Sequence, residues 1–289
     1  MRIPSRRPGP PPTACSSWSQ TPATSLIGWE GSAREPISLT LPEDDATWIS
    51  GGRADVLAVT LAAGGTATSD PIRPGRRLKW RTVKATGPDG KPVEGQQFFA
   101  TWDPEGGRFA TLAGDLVSAG DIRVALVDPT LKTALEIVLD RGVLPAPPAW
   151  IDGERLVLVT GDTAAPLATI VDTATGELSD GPSGDRLLAT SADGRVIATV
   201  AGRRAPIVIH DTAGWLAGDG SSIAAIERPD ASTSVIAMAL DATGDRLAVA
   251  WAAGDGTVSI AVHVGRSGWR RVVEPAIGAA RGAVVAWRR

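Results

Sequence analysis

Two histidines, His210 and His263, are the first candidates for chemistry in this sequence, because a neutral imidazole can bind a metal ion or exchange a proton near pH 7. Both follow a short apolar segment, at similar positions in two consecutive stretches of the chain. They could form a paired metal or acid–base site, or they could be two half-buried polar rings. Equivalent positions in consecutive segments do not imply contact, so we expect no catalytic residue and no metal site.

Carboxylates are plentiful, but they lie next to glycines, where turn formation explains them without acid–base chemistry. The acidic turn residues are Asp103, Glu105, Asp152, Asp193, Asp241 and Asp245. The sequence contains neither a G-x-S-x-G nucleophile elbow nor a G-x-x-x-x-G-K-[ST] phosphate loop. It contains no asparagine, which weakens the case for a calcium site, and its one cysteine, Cys15, excludes an intrachain disulfide. We therefore expect no cofactor.

A short basic segment is the most pronounced charge feature of the chain. Its candidate binding residues are Arg76, Arg77, Lys79, Trp80 and Arg81. Basic residues beside an aromatic ring could bind single-stranded nucleic acid or an anionic surface. The alternation of Leu78 and Trp80 with Lys79 and Arg81 is equally typical of a strand with one packed and one solvated face. The net charge of −3 lacks the basic excess of a nucleic-acid-binding protein, so we expect no nucleic-acid partner.

The elements that must position these residues are indicated by a repeated phrase. The segment WDPEGGRFATLA, which begins at Trp102, recurs in variant form along the chain. The copies are anchored at positions 48, 102, 150, 190, 240 and 287, which are 54, 48, 40, 50 and 47 residues apart. These intervals lie close to the ~40–50 residues of a four-stranded propeller blade.

Each copy reads as a hairpin followed by two more strands. The glycine-containing turn lies between two apolar runs, as expected for strands buried between neighbouring sheets. A third strand follows near 122–128, 167–172 and 207–211, with a degenerate version at 257–264. A more polar fourth strand follows near 76–83, 133–140 and 269–275, as suits the outer edge of a blade.

Four tryptophans share one position of the repeat: Trp48, Trp102, Trp150 and Trp287. We expect them to pack between neighbouring blades, where a large aromatic ring buries ~150–250 Å². A ring of exposed tryptophans around a ligand-binding pore is the alternative.

The phrase WDPEG, followed about two dozen residues later by VDPT, resembles the "FSPDG … WD-x-x-TG" signature of WD40-like propellers. Among these, the chain is most similar in style to the TolB-type (PD40) repeats of bacteria. The resemblance implies an all-β fold, a β-propeller over residues 24–289. The copies depart from the WD40 pattern, because no Gly-His dipeptide occurs and no third strand ends in Trp-Asp.

The copies predict six four-stranded blades, with the last blade closed by strands from both termini, 25–41 and 282–287. Five blades, seven blades or a sandwich of two β-domains are the alternatives. Residues 1–23 are rich in Pro, Ser and Arg and have no apolar core of a secretion signal, so we expect a disordered tail.

The function expected from these features is that of a non-catalytic scaffold or binding domain that presents loops, chiefly 65–76, 86–96 and 212–222, to a protein or peptide partner. A small-molecule hydrolase or lactonase with an axial site is one alternative. The sensor domain of an envelope-anchored bacterial protein is another. For the sequence as written we expect a cytoplasmic monomer. Membrane or cell-envelope association would require an anchor upstream of a misassigned start.

Overall fold

The computed structural model describes most of the repeated region. The described residues are 26–28, 37–39, 46–51, 56–61, 64–71, 73, 77–93, 96–114, 122–139, 141–202, 204–265 and 270–273. The predicted tail (1–23), Arg76, Trp287 and the predicted closing strand (282–287) lie outside these residues.

The described part of the chain consists almost entirely of strands. In chain order they are β1 (Leu26–Gly28), β2 (Ile37–Leu39), β3 (Ala46–Gly51), β4 (Leu57–Leu61), β5 (Thr66–Ser69), β6 (Trp80–Thr82), β7 (Gln96–Trp102), β8 (Phe109–Gly114), β9 (Arg123–Asp128), β10 (Thr133–Val138), β11 (Ala149–Trp150), β12 (Arg155–Gly161), β13 (Pro166–Asp172), β14 (Leu178–Ser183), β15 (Leu187–Thr190), β16 (Val196–Val200), β17 (Ile207–Asp211), β18 (Ala224–Ile226), β19 (Ser234–Leu240), β20 (Arg246–Ala252), β21 (Val258–Val264) and β22 (Arg270–Val273). One short helix, α1 (Thr212–Leu216), follows β17.

Consecutive strands pair antiparallel into blades. Blade 1 is β3–β6, blade 2 is β7–β10, blade 3 is β11–β14, blade 4 is β15–β18 and blade 5 is β19–β22. The first strands β3, β7, β11, β15 and β19 contact one another in that order. The described residues therefore form a β-propeller whose first strands lie innermost and whose fourth strands form the outer edges.

The prediction of six blades is wrong, because the described residues form five four-stranded sheets. β1 and β2 pair with each other as a separate two-stranded sheet. Each of the five complete repeat copies supplies all four strands of its own blade, so none of these blades takes a strand from 25–41. The third strand of blade 1, Thr66–Ser69, is present although its sequence TATS carries little apolar signal.

The second strand of each blade is buried on both faces because each blade packs against its neighbours. All five residues of β4 are buried, as are the first five of β8 and the middle five of β12. One core cluster joins Leu112 and Val124 of blade 2 to Trp150 and Leu158 of blade 3. Burial of apolar area at ~25 cal/mol per Å² makes these shared cores the main source of stability.

The segment 212–222, expected to be a loop, begins with one helical turn. Asp211 caps α1, and its carboxylate accepts a hydrogen bond from the Gly214 N–H at 3.0 Å. Trp215 is buried in the core cluster shared by blades 3 and 4, and its indole N–H donates to Asp185 at 3.1 Å. The helix exists because this tryptophan fills a space between two blades.

Gly194, in the turn between β15 and β16, generates a stability prediction. It has a φ of +70°, and a Cβ there would collide with the Ile151 carbonyl oxygen of blade 3. Gly90 has a similar φ of +74° but open space around it, with nothing within 4 Å. We expect Gly90→Ala to lower the free energy of unfolding by about 1 kcal/mol, from the left-handed backbone alone. Gly194→Ala adds the steric conflict and should cost about 3 kcal/mol.

Urea denaturation of both variants measures this difference. Equal losses in the two proteins would show that the blade 3–blade 4 contact at Gly194 is not close.

Candidate binding surfaces

Polar contacts connect the first strands and turns of neighbouring blades. The Trp150 indole N–H of blade 3 donates to the Thr101 carbonyl of blade 2 at 2.9 Å. Between blades 1 and 2, the Trp102 backbone N–H donates to the Ser50 hydroxyl at 3.2 Å. The Asp193 N–H of blade 4 donates to the Ala242 carbonyl of blade 5 at 3.0 Å. Two of these bonds thus connect the first strands of neighbouring blades, and the third connects the first turns of blades 4 and 5.

Arg108 makes the densest of these connections. Its Nη2 donates to the Gly153 carbonyl at 2.6 Å and to the Thr173 hydroxyl at 3.1 Å. Its Nε lies 3.5 Å from the Asp103 carboxylate, and its guanidinium carbon lies 5.4 Å from the centre of the Trp150 ring. Because a planar guanidinium can donate in several fixed directions, this one side chain joins a turn of blade 2 to two turns of blade 3.

A cleft of about 400 Å³ opens above this connection, between blades 2 and 3. It is lined by Asp103, Glu105, Gly107, Arg108, Asp128, Gly153 and Glu154. Asp103 is buried, whereas Glu105 and Glu154 are exposed at the rim. Four carboxylates and one guanidinium give the cleft a negative charge. We call it the blade 2–3 cleft.

A second groove, of about 480 Å³, lies at the outer edge of blade 2. Residues 86–92 form a hairpin, in which the Gly87 N–H donates to the Lys91 carbonyl at 2.8 Å. The tip of this hairpin faces the outer strands β9 and β10. The lining residues are Pro88, Asp89, Arg123, Glu136 and Val138. This groove involves the 86–96 segment, one of the loops expected to face a partner. We call it the blade 2 edge groove.

The innermost strands supply no ionisable side chain. Their sequences are ATWISG, QQFFATW, AW, LLAT and SVIAMAL, in β3, β7, β11, β15 and β19. Within the described part of the chain there is also no group of three or more His, Cys, Asp or Glu residues arranged to hold a metal ion. Most of the described carboxylates lie instead in turns.

The described candidate binding residues of the basic segment lie at the outer edge of blade 1. Arg77, Lys79 and Arg81 are exposed, and Trp80 is half-buried against the core cluster of that blade. Arg81 pairs with Asp70 at 3.2 Å. Their role as a binding patch stays a prediction.

The described members of the tryptophan set lie at or near the contacts between blades. Trp48 of blade 1 meets Phe99 of blade 2 edge to face, with ring centres 5.4 Å apart. Trp102 shares a core cluster with Ala58 of blade 1. Trp150 shares one with residues of β8 and β9 in blade 2.

The two histidines are buried within consecutive blades. The Nδ1 of His210 lies 2.8 Å from the Ser221 carbonyl, to which it must donate because a carbonyl only accepts. Its Nε2 lies 3.4 Å from the Thr199 hydroxyl. These contacts give the His210 ring a structural environment inside blade 4.

Sequence reasoning missed two features of these surfaces. The first is the multiple bonding of Arg108, although an arginine follows the turn glycine in five repeat copies: Arg53, Arg108, Arg155, Arg195 and Arg246. The second is the left-handed backbone of Phe99, with φ of 56°, at an irregularity of the β7–β8 pairing. Nothing in the local sequence indicates it.

Comparison with solved structures shows the same fold. A putative TolB from Agrobacterium tumefaciens superposes with a TM-score of 0.60 at 15% identity, over 83% of this chain and 85% of that one. TolB from Acinetobacter baumannii gives 0.52 at 16% identity, over 77% of this chain and 54% of that one. Hydrazine synthase of Kuenenia stuttgartiensis gives 0.50 at 14% identity, over 87% and 71%.

No protein-family model and no curated protein matches the sequence. The solved structures confirm the resemblance to TolB-type propellers at the level of the fold. In the described residues no helix combines the length and hydropathy needed to cross a membrane.

Arg108 yields a stability prediction. Arg108→Lys keeps the charge but loses the forked geometry, so the Gly153 and Thr173 contacts cannot both be kept. We expect the free energy of unfolding to fall by about 1.5–3 kcal/mol, as for hydrogen bonds of a charged group. Arg195→Lys is the matched control, because Arg195 is mostly exposed and its side chain pairs with Asp193 alone. It should change stability by less than about 0.5 kcal/mol in urea denaturation. A similar loss in both variants would contradict the assigned role of Arg108.

The turn aspartates predict acid sensitivity. The Asp162 carboxylate accepts a hydrogen bond from the Ala165 backbone N–H, and the Asp172 carboxylate accepts one from the Thr175 backbone N–H. These bonds are the main reason why the pKa of each carboxyl lies below its ordinary value of 3.8. A pKa lowered by folding stabilises the native state above the unfolded-state value, and this contribution is lost as the pH falls through the folded-state value. We expect the free energy of unfolding to fall as the pH drops below about 4. The double variant Asp162→Asn/Asp172→Asn should reduce that slope in urea titrations between about pH 3 and pH 6. An unchanged slope would contradict the assignment.

Proposed function

We propose that this chain is a non-catalytic scaffold that presents the turns and edges of its blades to a protein or peptide partner. A propeller suits this role because packed blades hold surface groups in a fixed geometry without a large conformational change on binding. The TolB-type fold is consistent with a protein-binding scaffold.

The observation that supports the proposal most is the blade 2–3 cleft. Its floor is fixed by Arg108, and its rim carries Glu105 and Glu154 as exposed charges. A cleft of net negative charge favours a partner of opposite sign, because complementary charges attract across a contact. The partner at this cleft should therefore present lysine or arginine side chains.

A second surface is the basic segment of blade 1. The exposed side chains of Arg77, Lys79 and Arg81 would suit an acidic partner or an anionic surface. We keep Arg76, Arg77, Lys79, Trp80 and Arg81 as candidate binding residues on this basis.

A hydrolase or lactonase with an axial site finds no support in the described innermost strands, because none carries a carboxylate or histidine. Assay of the purified chain with lactones and esters, with and without Ca²⁺, tests this alternative directly. The alternative of a sensor domain of an envelope-anchored protein is tested by reading the DNA upstream of Met1 for an in-frame apolar segment. We keep a cytoplasmic location and a monomeric state as expectations, the second to be measured by sedimentation.

Crosslinking pull-down from the native host tests the scaffold proposal. We expect the full chain to capture a specific protein partner, and Glu105→Lys/Glu154→Lys to lose at least about 90% of it, because charge reversal turns attraction into repulsion. Glu227→Lys is the control, since Glu227 is exposed on the segment between blades 4 and 5, away from the blade 2–3 cleft.

Two results would count against the proposal, the first against the scaffold function as a whole and the second against the blade 2–3 cleft alone. One is the absence of any captured protein together with metal-dependent hydrolysis of lactones or esters by the purified chain. The other, which would reject only the blade 2–3 cleft, is equal capture by the wild type and the double charge-reversal variant.

A further inference from the structure

The outer strand of blade 2, β10, has an open backbone edge. The Leu139 N–H donates to the Ile122 carbonyl of the adjoining segment at 3.0 Å, so the odd-numbered residues of β10 bond towards β9. In an antiparallel pair the alternate residues point the other way. The N–H and C=O groups of Glu136 and Val138 therefore point out of the blade, and no described residue bonds to them along this edge.

The chain itself already uses the beginning of this edge as a template. Thr86 forms a parallel bridge with Thr133: its N–H donates to the Lys132 carbonyl at 3.1 Å, and its carbonyl accepts from the Ala134 N–H at 2.9 Å. The pairing stops there because the chain turns away in the 86–92 hairpin. The blade 2 edge groove lies directly beyond this bridge, between the hairpin tip and Val138.

Two of the exposed side chains along the open edge are large and apolar. Leu135 is 42% exposed and Val138 is 62% exposed, on opposite faces of the strand. The charged groups nearby pair with each other: Arg123 with Glu136 at 3.3 Å, and Lys91 with Asp89 at 3.5 Å. An incoming strand would therefore meet an apolar, electrically balanced surface.

Other described outer strands carry the usual protection against strand addition, and β10 does not. β14 contains Gly181 and Pro182, β6 is three residues long and carries Arg81, and β18 is also three residues long. Short length, proline and positive charge all discourage pairing with a further strand. β10 is six residues long, with the sequence TALEIV. Such an edge is an aggregation hazard unless something binds it.

We propose that an extended, uncharged, apolar peptide of a partner protein adds to β10 as a fifth strand of blade 2, at Leu135–Val138. Peptides recognised by strand addition gain affinity from backbone hydrogen bonds and specificity from alternate side chains. Here Glu136 and Val138 supply the backbone groups of β10. On one face of the sheet the side chains of the added peptide lie against Val138 and Pro88, and on the other face they lie against Leu135. Pro88 and Asp89 of the hairpin line the same groove as Glu136 and Val138, so the hairpin stands where the flat edge of a second copy would approach, and a single extended chain suits this edge better. The proposal rests on the scaffold function and specifies one of its sites.

Selection of twelve-residue peptides from a phage-displayed random library on the immobilised full chain tests the proposal. We expect selected peptides with alternating apolar residues, and we expect Leu135→Lys/Val138→Lys to weaken their binding by about tenfold or more, because a lysine would have to be desolvated in the contact. Ile223→Lys is the control: Ile223 is similarly exposed, at 59%, and lies beside the outer strand of blade 4. Melting temperatures of both variants establish that they fold.

Two further measurements distinguish strand addition from side-chain docking. N-methylation of alternate backbone amides in a selected peptide should abolish binding, and hydrogen exchange at the amides of Glu136 and Val138 should slow when the peptide binds. Peptide binding that survives both the lysine variants and N-methylation would overturn this proposal while leaving the scaffold function intact. A concentration-dependent dimer that Leu135→Lys/Val138→Lys dissolves would also overturn it, by making a second copy the occupant. Failure to select any peptide would overturn it as well, whereas the scaffold function depends on the pull-down.

Discussion

The packing of consecutive blades against one another is the constraint on which the rest of this structure depends. A four-stranded sheet with two apolar faces is insoluble alone, and here the second strands of the described blades are buried throughout or nearly so. The clusters that bury them cross blade boundaries: Trp150 of blade 3 shares a cluster with residues of blade 2, and Val235 of blade 5 shares one with Ile207 of blade 4. Stability is therefore approximately a sum of blade and interface contributions.

This constraint also determines where polar chemistry can lie. Ionisable residues are excluded from the described innermost strands and concentrate in the turns, where Asp and Gly form the hairpins and Arg joins one blade to the next. Arg108 illustrates the consequence, since a residue that stabilises the contact between blades 2 and 3 also forms the floor of a charged cleft. Blade packing and the proposed binding thus draw on the same turn residues, since a stable turn holds its side chains in a fixed geometry.

The sequence predicted the blades well where the repeat was complete, because glycine turns and apolar runs are local signals. It overestimated their number because the truncated phrase at Trp287 was counted as a blade. It also predicted a loop at 65–76, where the third strand of blade 1 lies, because TATS is not apolar. The helical turn at Thr212–Leu216 was missed because Trp215 is fixed by a space between two blades. Neither the clustering around Arg108 nor the groove beside Val138 could be predicted, since both depend on segments that meet only in the fold.

The fold does not determine the function of this chain, because putative TolB and hydrazine synthase share it at 14–15% identity. What distinguishes propellers is which positions depart from the requirements of blade packing. In this chain the repeat explains the tryptophans, the turn glycines and the buried second strands. It does not explain exposed leucine and valine on the one described six-residue outer strand that lacks Pro, Gly, Lys and Arg. A residue pattern that packing does not require, and that solubility opposes, is best accounted for by a binding partner.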